Sequence, residues 1–132
     1  MIFLDTGYFK GLMDKKDKNH KNALKIRDYL DNYNNETTVI NTTVLVETLN
    51  WSVGSKDSLS NLYNDLFDKN MVIQLTDEDY LKSLQINGWY GNSINYSDCT
   101  IISTMMDMGI NKIVSFDSGF KKINGFNVIF NI

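Results

Sequence analysis

Apolar positions along the chain alternate between two rhythms. Short β-branched or aromatic runs at Ile2–Leu4, Val39–Ile40, Met71–Leu75, Ile113–Phe116 and Phe126–Phe130 are bounded by polar or turn residues and predict strands. Between them, Ala23, Leu24, Arg27, Leu30 and Tyr33 fall near one helical face, and a second helix is predicted from Thr42. Leu59, Leu62, Tyr63, Leu66 and Phe67 follow the i, i+3, i+4, i+7, i+8 spacing closely, and Tyr80, Leu81 and Leu84 repeat it more briefly. Ser97 occupies an N-cap position before Ile101, Ile102, Met105 and Met108, with Gly109 as the helix stop. Strands alternating with helices predict an α/β fold: a three-layer α/β/α sandwich around a central parallel sheet. No repeat or linker divides the 132 residues, so a single domain, 1–132, is expected.

In such a sheet the functional crevice lies beyond the carboxyl ends of the strands. Asp5 directly follows the first predicted strand, and Asp117 directly follows Ile113–Phe116. Glu47 lies about one and a half turns into the helix from Thr42. Asp98 falls in the first turn of the helix after Ser97, where the helix dipole favours an acid. Each position has an ordinary alternative: a strand-end Asp also serves as a turn residue or N-cap, and Asp117-Ser118-Gly119 reads as a turn. Glu47 is the most telling, because Val44-Leu45-Val46 and Leu49 surround it with apolar surface on which an unpaired carboxylate is costly. No Lys or Arg lies nearby in sequence. Four converging carboxylates raise one another's pKa unless a divalent cation neutralises them, and hard oxygen donors suit Mg²⁺ or Mn²⁺. The implied chemistry is metal-assisted phosphodiester hydrolysis.

Composition narrows the field. A lone cysteine, Cys99, forms no intrachain disulfide, and with His20 as the sole imidazole a zinc cage is poorly supported. No apolar run approaches the ~18 residues of a membrane span, and the start lacks a signal-peptide pattern, so a cytoplasmic protein is expected. The formal charge of −3 argues against simple phosphate binding through lysine. The four acids alone account for that excess.

Four segments, in order, resemble the PIN-domain ribonucleases, especially the small VapC-like toxins of toxin–antitoxin modules. They are Asp5-Thr6-Gly7-Tyr8-Phe9 after the first apolar run, Val46-Glu47-Thr48-Leu49, Tyr96-Ser97-Asp98-Cys99-Thr100-Ile101-Ile102, and Val114-Ser115-Phe116-Asp117. The resemblance implies that Asp5, Glu47, Asp98 and Asp117 are the catalytic, metal-binding acids. Ser115 and Thr6 are implied to support them. Many relatives carry another acid where this chain has Gly119, so one well-held ion and a weaker second are expected. The resemblance also implies an RNA substrate, an antitoxin partner and a homodimer. The different-class alternative is a non-catalytic PIN-like module that binds protein or RNA.

Further residues bear on RNA. Lys15 and Lys16 begin a basic stretch that either guides RNA or forms a solvated helix face. Trp89 and Tyr90, in the polar loop before the Asp98 helix, are candidates to stack on unpaired bases. Trp51 is expected to pack internally, and His20 to lie in an exposed turn. Tyr8, Phe9, Leu12 and Met13 read either as core or as a dimer or antitoxin surface. Asp5-Thr6-Gly7 also looks like an aspartic-protease loop, but that fold is all-β. A phosphoryl-aspartate mechanism wants a second acid where Gly7 stands, and a receiver domain wants a lysine that this chain does not place at a strand end.

Overall fold

The computed structural model describes residues 1–52 and 56–132. Five short strands, β1 (Ile2–Leu4), β2 (Thr38–Asn41), β3 (Met71–Ile73), β4 (Lys112–Val114) and β5 (Asn127–Ile129), form one all-parallel sheet in the order β3-β2-β1-β4-β5. Among the described residues, six helices flank it: α1 (Thr6–Met13), α2 (His20–Asn32), α3 (Thr42–Trp51), α4 (Lys56–Lys69), α5 (Asp77–Trp89) and α6 (Tyr96–Met108). A 3-10 turn, Ser118–Lys122, follows β4. This is the α/β/α architecture that the alternating pattern predicts.

β1 lies at the centre and every residue of it is buried, as a strand covered on both faces requires. Phe3 pairs with Val39 on one side and Ile113 on the other. The chain leaves β1 towards β2 and leaves β4 towards β5, in opposite directions across the sheet. The carboxyl ends of β1 and β4 therefore flank a topological switch point, where α/β sheets open a crevice. Ile40, Ile86, Ile101, Ile102, Met105, Ile113 and Phe120 fill the core around these strands, each contributing on the order of 1.5–3 kcal/mol of apolar burial.

Strand ends are set by side chains. The Met71–Leu75 run stops being strand after Ile73 because the Thr42 hydroxyl donates to the Ile73 carbonyl and accepts from the Leu75 amide. The predicted cap at Ser97 is corrected: Asn95 caps α6, its Oδ1 accepting from the Asp98 amide at 2.9 Å, and Ser97 lies in the first turn. Gly109 ends that helix with φ 65°, a left-handed geometry that favours glycine.

The predicted helices form, but several turn a different face inward. On α2, Ala23 and Ile26 are buried, whereas Arg27 and Tyr33 point outward. On α4, Leu66 is buried while Leu59, Tyr63 and Phe67 form an exposed stripe, with the two aromatic rings 4.8 Å apart. On α5, Ser83 and Ile86 face inward and Tyr80, Leu81 and Leu84 outward; the Ser83 hydroxyl is satisfied by the Asp79 carbonyl at 2.6 Å. Tyr8 and Phe9 belong to the core and not to a surface. Trp51 is exposed, contrary to expectation. His20 opens α2, and its Nδ1 hydrogen-bonds the Gly11 carbonyl at 2.7 Å. A Cβ on Gly11 would stand 3.1 Å from that of Ala23, so glycine allows α1 and α2 to cross closely.

At the amino ends of the strands, Glu36 accepts from the N-terminal ammonium at 2.9 Å and from Lys112 at 2.6 Å. Lys82 pairs with Asp107 on the helices. Among the described residues, no helix is long and apolar enough to cross a membrane.

Candidate active site

Asp5 begins the construction. It is 7% exposed, at the end of β1, and it caps α1: Oδ1 accepts from the Thr6 amide at 2.8 Å. Its other oxygen, Oδ2, accepts from the Ser115 hydroxyl at 2.8 Å. Ser115 Oγ in turn accepts from the Asp117 amide at 3.0 Å. One buried hydroxyl thus ties the carboxyl ends of the two central strands together. The N-cap reading of Asp5 is correct, and it does not compete with a role at the crevice.

Asp117 is exposed and caps the 3-10 turn, with Oδ1 accepting from the Gly119 amide at 2.8 Å. A Cβ at position 119 would come within 3.3 Å of that oxygen, so glycine leaves the carboxylate uncrowded. Glu47 is also exposed, which corrects the inference that it faces an apolar surface. What holds it is neutral: the Thr6 hydroxyl donates to Glu47 Oε1 at 2.9 Å. Asp98 stands in the first turn of α6 and is largely sheltered.

These groups feel one another. Burial pushes the Asp5 carboxyl up to about 6 against the opposing hydrogen bonds from Ser115 and Thr6, and the charges of Asp117 and Glu47 add to the rise. Asp98 is pushed up to about 7, first by burial, then by the charges of Asp5 and Asp117, by hydrogen bonding to Asp117, and by Glu47. Among the described residues, the ion pairs all lie elsewhere, and none of the four acids is paired with a lysine or arginine.

The family model of the PIN domain matches residues 2–125. The chain belongs to the PIN domain family. Solved PIN structures share its fold. VapC20 of Mycobacterium tuberculosis, described as a sarcin-ricin loop cleaving toxin, superposes with a TM-score of 0.74 at 20% identity, covering 92% of this chain and 94% of that one. VapBC2 of Rickettsia felis, solved bound to a fragment of promoter DNA, gives 0.69 at 20% identity, covering 98% of each chain. DNA-bound VapBC of Salmonella typhimurium gives 0.67 at 15% identity over 97% of this chain and 96% of that one. No curated protein sequence matches.

In this PIN domain the donor set fits a hard divalent cation in kind: oxygen ligands only, sharing excess negative charge. Among the described residues, no three acidic, imidazole or thiol groups stand close enough to form a ready-made cage. The set is open, and two of its members, Glu47 and Asp117, end in exposed carboxylates.

The remaining sequence-predicted residues divide by exposure. Lys15 and Lys16 are exposed between α1 and α2. Trp89 is 64% exposed at the end of α5, whereas Tyr90 is half-buried and packs against the core. Sequence reasoning missed a polar seam beneath the acids. Fully buried Asn41 accepts from the Val44 amide at 3.2 Å and donates to the Thr100 carbonyl at 3.2 Å and the Thr104 hydroxyl at 3.0 Å. An Asn between a strand and a helix is a cap signal, but its reach across the fold has no local signature.

Proposed function

We propose that this PIN domain is a metal-dependent endoribonuclease, the toxin of a type II toxin–antitoxin pair, acting in the cytoplasm. The observation that carries the reading is the coupling among the acids: Asp5 and Asp98 are pushed up to about 6 and 7 by burial and by the charges of their acidic neighbours. Carboxyls shifted by burial together with specific neighbouring charges are candidates for a functional site. The fold shared with VapC20, described as a sarcin-ricin loop cleaving toxin, supports the substrate class.

Asp5, Glu47, Asp98 and Asp117 would hold Mg²⁺ or Mn²⁺, one ion well held and a second weakly because position 119 brings no carboxylate. Such an ion supplies Lewis acidity and counter-charge to a phosphodiester. Ser115 and the Thr6 amide fix the Asp5 carboxylate, and the Thr6 hydroxyl aims Glu47. One of these acids would assist deprotonation of the attacking water. Trp89 offers an exposed ring for an unpaired base, and Lys15 and Lys16 offer phosphate contacts. An antitoxin that silences the site belongs to the proposal, supported by the VapBC structures among the structural neighbours, and a homodimer is proposed with it.

The test is cleavage of RNA by purified protein with Mg²⁺ or Mn²⁺ and with EDTA. Metal-dependent cleavage lost in Asp5→Asn and Asp98→Asn is expected. Equal activity in both variants overturns the proposal, and no cleavage without any divalent-ion binding favours a non-catalytic module.

A further inference from the structure

We infer that Asn41 is a positioning residue that sets the separation between Glu47 and Asp98, an inference resting on the metal-site reading above. The two acids sit on different helices, α3 and α6, and neither bonds directly to the other helix. Asn41 ends β2 and is fully buried. Its Oδ1 accepts from the Val44 amide, one turn before Glu47. Both protons of its Nδ2 are spent on α6, on the Thr100 carbonyl and the Thr104 hydroxyl, with Asp98 half a turn before Thr100. One planar amide therefore ties the first turn of α3 to the second and third turns of α6.

A chain of hydroxyls extends the tie. Thr104 Oγ1 donates to the Thr100 carbonyl at 3.2 Å. Thr100 Oγ1 donates to the Ser97 carbonyl at 2.6 Å, so its single proton is used. Thr43, in the first turn of α3, is then the donor in the 2.7 Å bond between the Thr43 and Thr100 hydroxyls. By contrast, the buried hydroxyls Thr48 on α3 and Ser103 on α6 have no partner among the described residues and add nothing to the connection. In a low-dielectric interior such a satisfied network fixes geometry more firmly than apolar contact, which tolerates sliding. Because the acids form an open set and not a finished cage, small changes in the spacing of α3 and α6 decide how well the set closes on an ion.

The test is Mn²⁺ affinity by titration calorimetry, with kcat and KM for RNA cleavage and melting temperature measured on the same samples. Asn41→Ser keeps a side-chain oxygen to cap α3 and removes the reach to α6; Thr104→Val removes two bonds of the tie, from Asn41 and to the Thr100 carbonyl, at constant shape. Each is expected to weaken Mn²⁺ binding about 10-fold, as loss of groups behind metal ligands does, and to lower kcat with KM unchanged. Thr104→Ser is expected to restore affinity, and the isosteric control Thr48→Val to leave it unchanged. Binding by the wild type with undiminished affinity in Asn41→Ser and Thr104→Val, whatever their melting temperatures, overturns this inference alone. Absence of Mn²⁺ binding by the wild type overturns the metal-site reading and this inference with it.

Discussion

Ser115 donates to Asp5 across 110 residues of chain, at 2.8 Å, and the same oxygen receives the amide of Asp117. The bond stabilises the ionised form of a carboxylate that burial pushes the other way. Ser115→Ala is expected to raise the Asp5 pKa above its present value of about 6 and to weaken Mn²⁺ binding about 10-fold. Carboxyl NMR titration and calorimetry measure both. An unmoved Asp5 titration would show that the hydroxyl has no electrostatic role.

Acidity and stability are linked with a definite sign. Asp5 and Asp98 hold protons more tightly when folded, at about 6 and 7, than their ordinary value of 3.8. Between those limits the folded chain binds more protons than the unfolded one, so these groups' stabilising contribution is complete below 3.8 and is lost as pH rises through 6 to 7. The metal-free protein is expected to melt at a lower temperature at pH 7 than at pH 5 through these two acids, and Asp98→Asn to flatten that dependence. Mg²⁺ is expected to raise the melting temperature at pH 7 with release of protons. Scanning calorimetry across pH, with and without EDTA, decides; a pH dependence identical in Asp98→Asn contradicts the assignment.

Trp89 places a large ring in solvent next to the loop that leads into α6. Stacking on an aromatic ring is worth about 1–3 kcal/mol per base. Trp89→Ala is expected to raise KM for RNA about 10-fold and leave kcat and melting temperature near wild type. A fall in kcat with KM unchanged would remove Trp89 from the binding surface.

Thr48 and Ser103 bury hydroxyls without partners among the described residues. An unmet polar group costs free energy that an apolar isostere does not, so Thr48→Val is expected to stabilise the fold by about 1 kcal/mol, read as a higher urea midpoint. A lower midpoint would mean that the hydroxyl finds a partner in solution.

The four acids were legible because each lies where local pattern sets its place, at a strand end or in the first turns of a helix. The parallel sheet was legible for the same reason, since strand and helix periods alternate. Which face of α4 and α5 is buried was not. Leu59, Tyr63 and Phe67 obey the helical period as well as Leu62 and Leu66 do, and only the neighbouring elements choose between them. Likewise the Thr6 hydroxyl reaches Glu47 over 41 residues and Asn41 reaches Thr104 over 63. Such bonds exist only once the fold is closed, and Asn95 outcompetes Ser97 as a cap because its side chain meets the Asp98 amide.

The distance in sequence between Asp5 and Ser115 also sets a timetable. During synthesis the first strand emerges 110 residues before the serine that completes its end of the crevice. At about 5–20 residues per second, several seconds pass before the two meet. A growing chain from which Ser115 has not yet emerged therefore carries an unfinished site.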